Sequence, residues 1–264
     1  MIKIFDCKNP NYLSKLRLVL EKRRHGNKIN TDHVIKIVKD IKINKQKALI
    51  KYEKKFSKNS KIKPSKKEIN NSIKSLDPKI KNAIDFAYSR ILKFHSLQKI
   101  NKIKYTDKLN NKIEYKYIPI QSVGIYVPHN LPSTLLMNAI LAKKIVGVKR
   151  VVLANPRLNG KLNPAVMYAA KKCGISEIIN ASGSQAIASL AYIQKVNKIV
   201  GPGNDYVARA KKEVFGDVGI EAMVAGPSEI TVVADKNTNV NEVLTSLVGQ
   251  AEHDINSQCI LIVN

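Results

Sequence analysis

The sequence predicts an α/β fold of parallel-sheet, Rossmann-type domains, preceded by a helical, lysine-rich segment over residues 1–110. Two observations predict it. After about residue 110, short apolar runs alternate with stretches of helical periodicity, the grammar of strand–helix–strand units in a mostly parallel sheet. Before that point the apolar residues recur at helical spacing among lysines.

Taken in order, cap-like Thr31 and Asp32 open a helix that carries Val34, Ile35, Val38 and Ile41 on one face. From Pro78 to Gln98, the residues Ile80, Ile84, Ala87, Tyr88, Ile91 and His95 share a stripe. Such a stripe is a core face, which makes His95 a packing or edge histidine. The alternation then runs "VGIYV", a helix over 133–147, "VVLAN", a helix over 164–173, "EIIN", a helix over 184–191, "KIV" and a helix over 205–214. "EITVVAD", a helix over 240–251 and "CILIV" complete it. Asn163-Pro164 supplies a cap and a first-turn proline, and Gly174 stands where that helix must stop.

Composition narrows the class. The chain has 264 residues, 44% of them apolar, enough to bury a substantial core. No uninterrupted apolar run is long enough to span a bilayer. The N-terminus reaches Asp6 and Lys8 too soon for a signal-peptide core. Cys7, Cys173 and Cys259 are scattered, as expected of reduced thiols in a cytoplasmic protein. The net charge of +26 invites a nucleic-acid reading. Yet the excess is lysine dispersed among Ile and Asn, with little Arg to fork onto phosphates or base edges, and it reads as solvated faces.

In parallel sheets, sites gather at the carboxyl ends of strands, and there stand "PHNLPS", "SGSQA", "GPGND" and "AGPSE". No GxGxxG fingerprint is present. "IVGPGNDYV" suits a ligand backbone approaching a helix N-terminus at Asn204, or a plain Asn-capped turn. Gln185 suits a ligand contact or a capping role. Ser228 has no local His to activate it as a nucleophile. Gln250 and His253, three apart, share a helix face and could share a metal or simply end a helix. Glu252 beside them could orient an imidazole.

Read in succession, "IPIQSVGIYVP", "STLLMNAILAKKIVGVKRVVLANP", "NGKLNPAVMYAAKKCGISEI", "QAIASLAY", "KIVGPGN", "AGPSEITVVAD" and "GQAEHDINSQCILIV" resemble the histidinol dehydrogenase family. The resemblance starts near residue 10 and is dense from 118 onward. It implies an aldehyde-dehydrogenase-like α/β fold working as a homodimer, while the composition argues against membrane and nucleic-acid partners. It implies zinc-dependent oxidation of L-histidinol through the aldehyde to L-histidine with NAD, the last step of histidine biosynthesis. Residues 111–123 with 228–264 would form a first, incomplete α/β domain, and 124–227 a second that carries the NAD loops. Tyr126, Gln185 and Asn204 fall on NAD-contacting positions, Ser228 on a substrate-contacting serine, and Gln250 and His253 on zinc ligands that also meet substrate. The Glu-His pair of acid–base catalysis, and the remaining Asp and His ligands, are expected beyond Asn264, so no residue of these 264 takes a catalytic role. The chain departs from the family at "YVPHNLPS", where His129 and Asn130 replace a Gly-Gly pair, and at "SGSQ" in place of "GGAQ". The expectation is an N-terminal part of such an enzyme. The rival readings are a non-catalytic relic or split-enzyme half acting through dimerisation, and a basic nucleic-acid-binding protein.

Overall fold

The computed structural model describes residues 2–24, 31–98, 101–129, 131–221, 229–252 and 257–263. The chain divides into two compact units, Thr31–Met223 and Met1–Asn30 together with Val224–Asn264. From residue 31 the helical segment packs with the sheet that starts at Ser122, and residues 122 and 123 belong to a strand of that same sheet.

The smaller unit holds α1 (Tyr12–Arg24) and, near the C-terminal end, a single strand–helix–strand element. The larger unit begins with α2 (Asp32–Ser57), α3 (Lys66–Lys74) and α4 (Pro78–Ser96). Val34, Val38 and Ile41 are buried as their spacing requires, but Thr31 makes no side-chain capping bond. α3 opens on a capping box, with Ser65 accepting from the Glu68 N–H and Glu68 reaching back to the Ser65 N–H. An antiparallel ribbon of β1 (Ile103–Thr106) and β2 (Lys112–Tyr115) follows, inside the stretch read as helical. Its strands have four residues each, the shortest length at which alternation can be read, and all eight residues are exposed, so no buried face marks them.

The main sheet is built from β3 (Ser122–Tyr126), β4 (Arg150–Ala154), β5 (Glu177–Ile179), β6 (Lys198–Val200) and β7 (Gly219–Ile220). Between them run α5 (Pro132–Ala139), α6 (Pro164–Cys173), α7 (Gly183–Tyr192) and α8 (Asp205–Val214). α5 continues as a π-helical turn over Ile140–Val146 and ends at Gly147, φ 83°. The spatial order is β5-β4-β3-β6-β7 and all pairings are parallel. β3 is central, and the chain works outward to β5 before crossing back to place β6 on β3's other side.

Alternate residues of each strand enter two separate cores. Val123, Ile125, Val151 and Leu153 pack with α4, α5 and α6, whereas Tyr126, Val152 and Ala154 pack with α2, α7 and α8. The result is three layers, helices on both faces of the sheet. Gly124 lets α7 lie close on the sheet: a Cβ there would stand 2.9 Å from a Leu190 methyl.

In the smaller unit, β8 (Glu229–Ala234), α9 (Val240–Ala251) and β9 (Gln258–Val263) form one parallel strand–helix–strand element, in register from Glu229 opposite Gln258 to Ala234 opposite Val263. Among the described residues, no helix is long and apolar enough to cross a membrane.

Candidate functional site

The strand order reverses between β3 and β6, and a crevice at the carboxyl ends of two such strands is where open parallel sheets take ligands. Three segments meet there: the end of β3 at Tyr126, the N-terminus of α7 at Ser182–Gln185, and the turn Gly201–Asn204 that leads into α8. The sequence placed a candidate in each of them, and hydrogen bonds tie the segments together.

Tyr126 is 4% exposed, and its hydroxyl accepts from the Gly183 N–H at 3.2 Å. Burial, with the carboxyl of Glu53 nearby, pushes the Tyr126 phenol above its ordinary value, so its own proton stays in place. Gln185 is also 4% exposed. Its Nε2 donates to Glu53 Oε1 at 2.9 Å and to Ser182 Oγ at 3.0 Å, which leaves its carbonyl oxygen to act as an acceptor. Glu53 of α2 is fully buried; its Oε1 also accepts from the Ser182 N–H at 2.7 Å. Burial raises the Glu53 carboxyl above its ordinary value, against the opposite pull of these donors. Asn204 caps α8 through its side chain, accepting from the Val207 N–H at 3.2 Å. Ser184 Oγ donates to the Tyr206 carbonyl at 3.1 Å and so joins the starts of α7 and α8.

Two glycines allow close approaches here, Gly201 across to the end of β3 and Gly203 within the start of α8. Gly201 has φ 113°, and a Cβ on it would fall 2.0 Å from the Tyr126 carbonyl oxygen. At Gly203 a Cβ would fall 2.3 Å from a Val207 methyl, where α8 begins. His129, in a position the family resemblance gives to glycine, adopts φ 38°, the left-handed region that glycine favours. The loop that carries it is moored from beneath: Asn155 is fully buried and its Nδ2 donates to the carbonyls of Val127 and His129, both at 2.9 Å. Asn180 Nδ2 in turn donates to the Asn155 carbonyl at 3.1 Å.

Glu53, Asn155, Lys211 and Glu221 hold this region and were not singled out from the sequence. Glu53 lies 132 residues from the glutamine it orients, a separation that leaves no local signal. A lone acidic residue on the inner face of a lysine-rich helix was the available hint.

A cavity of about 580 Å³ lies between α3 and the 157–164 loop. Arg157 on its wall pairs with Glu68, whose Oε2 also meets Lys61 at 2.7 Å. Arg157, more than burial or Lys61, determines the result: the Glu68 carboxyl titrates at about 2 instead of its ordinary 4.5. A depressed folded pKa contributes stability that is full above the unfolded value and is lost as pH falls from about 4.5 toward about 2. Glu68→Gln is therefore expected to flatten the loss of stability in that acid window, and to lower stability at pH 7 by about 2 kcal/mol. Urea midpoints at pH 7 and pH 3 check this; an equal deficit at both would count against the ion pair as its source.

Of the other candidates, Ser228 and His253 lie outside the described residues. Gln250 stands in the last turn of α9 in the smaller unit, its Nε2 donating to Ser257 Oγ at 3.3 Å. Among the described residues no three His, Cys, Asp or Glu side chains cluster as a metal would require. One glutamine does not close a zinc site, so the described donor set does not fit zinc by itself.

An open parallel sheet in this strand order, with glycine turns and helix N-termini at its reversal point, defines a doubly wound α/β domain. The chain belongs to the histidinol dehydrogenase family, whose model matches residues 20–264. It is 59% identical over 269 residues to histidinol dehydrogenase of Pelagibacter ubique, covering 99% of this chain and 63% of that protein. It is 40% identical to the Rhodospirillum rubrum enzyme, covering 94% of this chain and 59% of the relative. A crystal structure of histidinol dehydrogenase from Elizabethkingia anophelis matches with a TM-score of 0.84 at 38% identity, over 90% of this chain and 57% of that one. The chain thus spans about three fifths of the length of the relatives it matches.

Proposed function

We propose that these residues form the NAD-facing part of a histidinol dehydrogenase, an enzyme that oxidises L-histidinol through its aldehyde to L-histidine. The observation that carries this reading is the meeting of Tyr126, the start of α7 and the Gly201–Asn204 turn at the reversal point of the sheet, in a chain of this family.

The three side chains offer complementary chemistry to a dinucleotide. The Tyr126 hydroxyl accepts from Gly183 and keeps a proton to donate. Gln185, with its nitrogen committed to Glu53, offers a carbonyl oxygen to a ribose hydroxyl or amide donor. Asn204, with its oxygen capping α8, offers its nitrogen to an anionic oxygen. NAD, when bound, supplies the acceptor for hydride. Zinc belongs to the reading through Gln250 and His253, completed by ligands outside these residues, as do the acid–base pair, a homodimeric assembly and a cytoplasmic setting.

Titration of NAD into the 264-residue chain, followed by calorimetry, is expected to show saturable binding at millimolar levels or tighter. Asn204→Ala should weaken it about tenfold, the equivalent of one good polar contact. A chain that is folded by circular dichroism and binds no NAD would sink the proposal and favour the non-catalytic relic. With NAD, zinc and histidinol, turnover is expected from a polypeptide of its relatives' full length and not from these 264 residues alone. Turnover by the shorter chain would overturn the placing of the acid–base pair beyond Asn264.

A further inference from the structure

Lys211 of α8 is 7% exposed, the one lysine buried among the described residues, where Arg157 is the other buried cation. A buried ammonium requires a partner. Its Nζ donates both to the carboxylate of Glu221, just past β7, and to the carbonyl of Gly201. The same carboxylate oxygen, Glu221 Oε1, accepts from the Gly201 N–H at 2.9 Å. One ion pair therefore takes both polar groups of a single residue, the acid at its N–H and the base at its carbonyl. That residue is the one whose φ of 113° and missing side chain let the turn approach the Tyr126 carbonyl.

We propose that Lys211 and Glu221 are a positioning pair that fixes the Gly201–Asn204 turn against the end of β3, setting the gap in which NAD is held. The proposal rests on the reading of the crevice as the NAD site. A salt bridge placed only to stabilise the unit would have no reason to converge on a backbone group at the lip. Here the bridge supplies a donor and an acceptor in the order that residue needs, and the order matters. Exchanging the two charges would restore an ion pair, but would set a carboxylate against the Gly201 carbonyl and an ammonium against its N–H.

The test uses the whole 264-residue chain, with NAD as the titrant and amide hydrogen exchange of Gly201 as a ligand-free readout. Lys211→Met keeps the aliphatic stem. It is expected to weaken NAD binding about tenfold and to speed Gly201 exchange to a similar degree, while Leu153 and Ile125 amides keep their protection. Lys211→Arg should recover most of the affinity, and the charge-exchanged double variant Lys211→Glu/Glu221→Lys should not. Recovery by the exchanged pair would mean that the bridge serves only as a bridge, and would overturn the proposal. Should Lys211→Met not fold, Glu221→Gln supplies the same comparison, and unchanged affinity there overturns it. The unmodified chain separates the two readings. No NAD binding there fells the crevice reading on which this one rests, whereas binding that Lys211→Met leaves untouched fells the positioning role alone.

Discussion

Gly201→Ala is expected to leave little folded protein at 37 °C, lowering stability by about 4 kcal/mol or more, the range reserved for steric insults the core cannot relax. The added carbon would lie 2.0 Å from the Tyr126 carbonyl oxygen and 3.0 Å from its carbonyl carbon. That oxygen belongs to the central strand, so neither neighbour can move without breaking the sheet. Gly147→Ala is the matched control. Gly147 also has a positive φ, 83°, but nothing stands within 4 Å of its would-be Cβ. Its cost should be about 1 kcal/mol, from backbone conformation alone. Urea unfolding of both variants separates the two contributions. Equal losses would show that the clash is relieved by a shift of the turn, and would weaken the case that this approach is built in.

Asn155→Asp is the second large effect, and it comes from an almost isosteric change. The native amide nitrogen donates to two carbonyls, of Val127 and His129, at a fully buried position. A carboxylate there would have nothing to donate, and would face two carbonyl oxygens out of water. The expected loss at pH 7 is about 4 kcal/mol. The sign with pH is also determined. Burial and the carbonyl dipoles would raise the folded pKa of the new Asp above its unfolded value of about 3.9. The penalty is then complete above the raised folded value and disappears below the unfolded one, so the variant should regain stability as pH falls. Denaturant midpoints between pH 7 and pH 4 give the answer. A deficit that does not shrink on acidification would place the damage elsewhere than at this pair of carbonyls.

The sheet was largely legible in the sequence, because its strands are short apolar runs that must be buried on both faces. "VGIYV", "VVLAN", "EIIN" and "KIV" all became neighbouring strands, and the helices at 164–173, 205–214 and 240–251 fall where periodicity and caps put them. Asn163 and Gly174 cap α6 as read, the latter at φ 73°. β7 escaped notice because two residues carry no pattern, and the β1–β2 ribbon because its exposed residues obey no burial period. The candidate site was legible only as a set of loops. That Gly201 approaches Tyr126 is a matter of strand order, which apolar patterning does not encode. The supporting groups, Glu53 to Gln185 and Asn155 to Val127, act across long stretches of chain, and "VVLANP" by itself looked like ordinary punctuation after a strand.

The position of β3 has a consequence for how the unit is assembled. β3, β4 and β5 are joined by successive short excursions of the chain, each of which can close early. β6 reaches β3 only after the polypeptide has travelled out and back, as the Ser122–Asn197 hydrogen bond across 75 residues records. Closure entropy grows slowly with loop length, at about 0.6 kcal/mol for each doubling, yet it must be overcome before any β3–β6 contact offsets it. The crevice is therefore the seam along which the later half of the unit is joined to the earlier half. A ligand grasped from both sides of that seam ties the most distant parts of the chain together, so occupancy and the completion of folding become linked quantities.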